Sequence, residues 1–109
     1  MKFLSTAEEK LSDKKLRLTV TVSAPTNTKR FVLYDLGRDS SLAGRISMAE
    51  YVLDNCVIDI TVGARTFTPD QMKQADLTDE KTAEVYFGIV DLVVTHQLNI
   101  EEDEAEAKK

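Results

Sequence analysis

Apolar residues cover most of the circumference of a helix predicted for Asp79–Leu98. At about 100° per residue, the polar positions fall on one narrow stripe. Thr78 is a suitable N-cap, and Glu80 lies in the first turn, where the helix dipole favours negative charge. A surface helix is normally apolar on one stripe only, so this helix is expected to be covered from two sides. The polar stripe consists of Glu84, Gly88, Asp91 and Thr95, and the apolar arc of Ala83, Val85, Tyr86, Phe87, Ile89, Val90, Leu92, Val93, Val94 and Leu98.

Two segments before this helix predict a β-hairpin. Leu16–Ser23 alternates between apolar and polar residues, which is typical of a strand with one buried and one solvated face. The connection Ala24–Thr28 contains Pro25 and Asn27, which favour a turn. Arg30–Leu36 is the predicted second strand and is apolar on both faces. Because an isolated hairpin is marginal in water, helices or further strands must cover it.

The middle of the chain predicts a helix followed by a second hairpin. The helix is expected over Ile46–Val57, with Ser47 as N-cap and Glu50 as its capping-box partner. Val57–Val62 then alternates as a strand, and a glycine-containing turn would connect it to a further strand at Arg65–Phe67.

A strong helix start follows at residues 68–71. Thr68 is the cap, Pro69 occupies the first helical position and Asp70 lies in the first turn. This short helix is expected to end near Ala75.

These elements predict an α+β domain. It is an antiparallel hairpin, extended to three or four strands if the second hairpin joins it, packed against two or three helices. The long helix lies at its C-terminal end. Residues 1–15 are expected to be a mobile arm or a short helix, residues 16–99 a single domain, and residues 100–109 an acidic flexible tail with little to bury.

Composition argues against nucleic acid and membrane as partners. The net charge is −5, and the only basic cluster is Lys14, Lys15 and Arg17, so no basic stripe is available to neutralise phosphates. No run approaches the ~20 apolar residues of a membrane span. The single cysteine excludes an internal disulfide and indicates a reducing cytoplasm.

Residues that could support catalysis are few. His96 is the only histidine, and its apolar neighbours favour a packed or interface role. Cys56 is expected to act as a small buried hydrophobe. One histidine and one cysteine do not make a zinc site. We therefore expect no catalytic centre, no metal and no cofactor.

Three stretches form a recognisable order of elements: Arg30–Leu36, Ala49–Ile58, and Phe67–Gln71 leading into the long helix and a charged C-terminus. In these stretches the chain resembles a tail assembly chaperone of long-tailed bacteriophages. The resemblance implies a non-catalytic protein of the host cytoplasm that self-associates and binds the tape measure protein, keeping its hydrophobic helices from aggregating. It also implies that a longer, frameshifted product is often made.

The wide apolar arc of the long helix independently predicts association, because an apolar helix can bind another in a groove. The predicted interaction residues are Val85, Ile89, Leu92, Val93 and His96. Two alternatives remain open. One is a structural virion protein, such as a head–tail connector or tail-tube component, and the other is a small regulatory or enzyme subunit.

Overall fold

A computed structural model of the protein describes residues 8–98. In this range, four antiparallel strands form one sheet in the order β1-β2-β3-β4, and four helices accompany it. The α+β class and the long C-terminal helix are thereby confirmed. The elements are β1 (Glu9–Asp13), β2 (Leu18–Val22), α1 (Asn27–Leu36), α2 (Leu42–Asn55), β3 (Val57–Val62), β4 (Arg65–Phe67), α3 (Pro69–Lys73) and α4 (Glu80–Leu98).

The first hairpin is made by β1 and β2, paired from Glu9–Val22 to Asp13–Leu18. The Asp13 carboxylate accepts the backbone N–H of Lys15 at 2.9 Å and so supports the turn. The short helix expected within residues 1–15 is wrong for Glu9–Asp13, which forms a strand, and residues 1–7 lie outside the described range. Leu11 is the one apolar residue of this segment, so the sequence lacks the alternation of apolar and polar positions that indicates a strand.

The strand predicted for Arg30–Leu36 is wrong, because this segment belongs to helix α1. Thr26 caps the helix by accepting the backbone N–H of Lys29 at 3.2 Å. Leu33 points into the core, whereas Phe31 and Tyr34 are exposed. These two outward aromatic side chains made the segment appear apolar on both faces of a strand.

Helix α2 exists but begins four residues earlier than Ile46, at Leu42. Ser41 is its N-cap and accepts the backbone N–H of Gly44 at 3.1 Å, so the prediction of Ser47 as cap is wrong. Gly44 is buried, and a Cβ atom there would collide with Asp39. This glycine therefore permits a close approach inside the helix and does not belong to a loop.

The second hairpin and the short helix are confirmed. β3 and β4 pair around Gly63, whose φ of 61° is a left-handed conformation that glycine adopts at little cost. Thr68 and Gln71 form a full capping box at the start of α3. α3 ends at Lys73, two residues before the predicted end.

The core lies between one face of the sheet and the helices. Helix α4 packs against α2, α1 and the β1–β2 hairpin. The other face of the sheet carries a row of hydroxyl side chains in register across all four strands, as expected for an antiparallel sheet that is covered on one side. The row consists of Ser12, Thr19, Thr61 and Thr66, and the core includes Leu18, Val20, Val22, Leu33, Ala49, Val52, Leu53, Cys56, Ile60, Ile89 and Val93.

Helix α4 begins one residue later than predicted and has a different cap. Asp79 accepts the backbone N–H of Thr82 at 3.0 Å, so Asp79 and not Thr78 supports the first turn. Hydrogen bonds with Thr82 lower the pKa of the Asp79 carboxyl, which keeps the cap charged. The expected acidic tail, residues 100–109, lies outside the described range.

Candidate binding surfaces

The predicted interaction residues on α4 divide into two groups. Ile89 and Val93 are completely buried within this chain, so their assignment to an interface between chains is wrong. Val85, Leu92 and His96 are half-buried. The sheet, α1 and α2 together cover α4 from two sides, as the width of its apolar arc predicts.

His96 bridges α4 and β1. Its Nε2 atom lies 3.1 Å from the Glu9 carboxylate, and its Nδ1 atom lies 3.3 Å from the amide nitrogen of Gln97. The ring is therefore held between the Glu9 carboxylate of β1 and the buried side-chain amide of Gln97, the next residue of α4. This arrangement fits the packed histidine that the sequence predicted.

Cys56 is fully buried where α2 ends, as expected of a small hydrophobe. Burial raises the pKa of its thiol to about 11, although the nearby Lys29 ammonium opposes the shift. Since the thiolate is the nucleophilic form, the raised pKa and the burial of the side chain both disfavour reaction of this thiol at neutral pH.

A polar brace joins the start of α1 to the end of α4. Arg30 Nε donates to the Gln97 carbonyl at 2.9 Å, and Gln97 Nε2 donates to the Ser23 carbonyl at 3.0 Å. Lys29 Nζ donates to Ser23 Oγ at 2.7 Å. Gln97 is completely buried, and its Oε1 atom has no partner among the described residues. These contacts hold the start of α1 against the end of α4. The opposite side of α1, its outer face, is exposed.

An aromatic pair lies on that outer face of α1. Phe31 is 71% exposed and Tyr34 is 61% exposed, three residues apart and thus on the same side of the helix. Asp35 and Arg38 lie beside them as a surface pair 4.0 Å apart. We call Phe31 and Tyr34 the α1 aromatic face. The sequence does not indicate this face as long as residues 30–36 are assigned to a strand, because Phe31 and Tyr34 then lie on opposite sides of the element.

A groove of about 700 Å³ runs between the β1–β2 hairpin and α4. Its floor is the stripe of α4 that the sequence identified as polar, together with Phe87 and Leu92. Arg45 from α2 lies over the Phe87 ring, 4.4 Å from its centre. The groove is lined by Leu11, Asp13, Lys15, Leu16, Glu84, Phe87, Gly88, Asp91, Leu92, Thr95 and His96.

Within residues 8–98, no group of three or more His, Cys, Asp or Glu side chains is placed to hold a metal ion. No helix in that range is long and apolar enough to span a bilayer. The acidic positions Glu101–Glu104 lie outside it.

In the part of the chain that the structure describes, the α1 aromatic face and the groove are the candidate binding surfaces. Comparison of the chain with protein-family models, with curated proteins and with solved structures gave no match.

Proposed function

We propose that the protein is a non-catalytic tail assembly chaperone of a long-tailed bacteriophage, which binds the tape measure protein in the host cytoplasm. The observation that carries the proposal is the exposure of Phe31 and Tyr34, at 71% and 61%, on one side of α1. The sequence resemblance supplies the identity of the partner.

The α1 aromatic face suits the binding of an apolar helix. Aromatic side chains contribute large contact areas and are enriched in the cores of protein interfaces. A pair three residues apart matches the spacing at which helices meet in a groove or along a seam. The net charge of −5 would keep a protein with such a face soluble before its partner arrives.

Self-association would use the same face. Ile89 and Val93 are inside the fold and cannot contact a second copy, whereas Phe31 and Tyr34 can. A second copy and a tape measure helix would then compete for α1. Self-association would keep the α1 aromatic face covered in the free protein. The tape measure helix would displace the second copy once the tape measure protein is synthesised.

Co-expression with the tape measure protein of the same phage tests the proposal. We expect the wild-type chain to keep that protein in the soluble fraction and to co-purify with it. Phe31→Ser with Tyr34→Ser should abolish both effects without unfolding the chain. Ile58→Ser is the matched control, because Ile58 is 41% exposed but lies on β3.

Two results would contradict the proposal. One is an equal loss of solubilisation in the Ile58→Ser control and in the α1 variant. The other is stoichiometric retention of the chain in purified virions, which would indicate a structural component of the particle.

A further inference from the structure

We infer that the groove between the β1–β2 hairpin and α4 binds an amphipathic helix whose apolar stripe is flanked by Lys or Arg residues. This goes beyond the proposed function, because it assigns a second binding site made of residues that the α1 aromatic face does not share.

The groove offers an apolar floor and an apolar wall. Phe87 and Leu92 contribute from α4, and Leu11 and Leu16 contribute from the hairpin. All four are half-buried, so part of each side chain faces the groove. The apolar stripe of an entering helix would complete the burial of these four side chains, and removing their apolar surface from water favours binding.

The rim of the groove is acidic. Glu84 and Asp91 are exposed, and neither makes an ion pair with another described residue. Asp13 adds a third carboxylate, while Lys15 is the one lysine in the lining. His96, the other basic residue of the lining, already faces the Glu9 carboxylate. Arg45 lies outside the lining but adds a positive charge over the Phe87 ring, so the three carboxylates outnumber the lysine and this arginine by one. The excess of negative charge favours a partner with positive side chains at its flanks.

The dimensions favour a short helix. The α4 segment that lines the groove, from Glu84 to His96, spans about 18 Å at 1.5 Å per residue, which matches roughly three turns of a bound helix. Because Leu16 covers Gly88 near the middle of this segment, the bound helix would pack on Leu16 there and not on the glycine. Addition of a strand to the edge of β1 is the other way to fill this side of the molecule. Glu9, Lys10 and Asp13 place charges along that edge, which is how natural proteins discourage strand pairing.

A designed peptide pair tests the inference on the full chain. The probe is a fluorescein-labelled amphipathic helix of 14 residues built from Leu and Lys, and its twin carries Glu at every Lys position. Fluorescence anisotropy at physiological salt should show saturable binding of the Lys peptide. Binding of the Glu twin should be at least 10-fold weaker.

Charge reversal locates the site. Glu84→Lys with Asp91→Lys should weaken the Lys peptide at least 10-fold and strengthen binding of the Glu twin. Glu50→Lys with Asp59→Lys is the matched control, because it changes the net charge equally at two exposed positions outside the groove. If the reversal variant fails to fold, Glu84→Gln with Asp91→Asn provides a milder test, with the Lys peptide weakened several-fold.

Three outcomes would overturn the inference. The first is equal weakening in the groove variant and the control, which would indicate attraction to net charge alone. The second is no binding of either peptide. The third is a dimer that the groove variant dissociates, which would make a second copy of the chain the occupant.

Discussion

Leu16 lies against Gly88 so closely that a Cβ atom on the glycine would collide with the leucine Cδ1 atom. Leu16 leads into β2 from the hairpin turn, and Gly88 is in the middle of α4. Through this contact the hairpin packs against the polar stripe of α4, which carries no large apolar side chain. Gly88 therefore serves a close approach between two elements, which a polar stripe in the sequence does not reveal.

The first prediction concerns this contact. Ala in place of Gly inside a helix is normally favourable by about 0.5–1 kcal/mol. In the wild-type background, we expect Gly88→Ala to lose or reverse that gain, because Leu16 must rotate away. In a Leu16→Ala background, the full gain should appear. Urea unfolding of the four proteins in this double-mutant cycle measures the coupling. The same effect of Gly88→Ala in both backgrounds would contradict the contact.

The sequence was informative where local signals agreed with the tertiary structure. The alternation of Leu18–Val22, the glycine turn after Val62 and the Thr68–Gln71 capping box each specify their element without help from distant residues. The length and apolar content of α4 were also sufficient to predict a helix. These signals together gave the α+β class and three of the four strands.

The remaining errors arise where surface residues imitate core residues. Phe31 and Tyr34 made α1 resemble a two-sided strand, and the charged ends of β1 concealed its pairing with β2. The interaction residues on α4 were partly misassigned for a related reason. Sequence periodicity places Ile89 and Val93 on the apolar side of the helix. It does not show whether their own chain or another one buries them.

A second prediction follows from the burial of Val93, which is completely inaccessible. Val93→Glu would place an unpaired charge in the core, at a cost of several kcal/mol. Since a domain is stable by only about 5–15 kcal/mol, we expect unfolding or a large drop in the melting temperature. Circular dichroism checks this, with Lys81→Glu on the exposed side of α4 as control. A variant that stays as stable as the wild type but changes only its assembly state would contradict the core assignment.

Cys56 gives a third prediction, about alkaline pH. Burial raises the pKa of its thiol from 9.0 to about 11, so above pH 9 the unfolded chain loses the proton first. The folded state then binds more protons, and stability falls as pH rises. The loss should total roughly 1–3 kcal/mol between pH 9 and 11, at about 1.4 kcal/mol per pKa unit.

Comparison with a Cys56→Ala variant isolates this effect, because burial also raises the pKa values of Tyr51 and Tyr86. The difference between the two unfolding free energies should shrink or change sign across this range. In the native wild type at pH 8, labelling of the thiol should occur only as fast as the chain unfolds. Rapid labelling under native conditions would show that Cys56 is accessible.

The last prediction concerns self-association through the α1 aromatic face. If two copies cover each other's Phe31 and Tyr34, the mass measured by light scattering should rise with concentration in the wild type. Phe31→Ser with Tyr34→Ser should remain a monomer. At a concentration low enough for the wild type to be monomeric, the unfolding free energies of the two proteins should agree within about 0.5 kcal/mol, as for other surface substitutions. This is expected because both side chains are more than half exposed, at 71% and 61%.

Leu42→Ser provides the control, because Leu42 is 67% exposed but belongs to α2. It should leave the mass profile unchanged. A tape measure helix added to the wild type should dissociate the oligomer, since both ligands need the same two rings. If the tape measure helix instead bound to the intact oligomer, self-association and partner binding would use different surfaces. That result would contradict the hypothesis that both use the α1 aromatic face. A wild-type chain that stays monomeric at high concentration would remove self-association from the proposal and leave partner binding to be judged by co-expression.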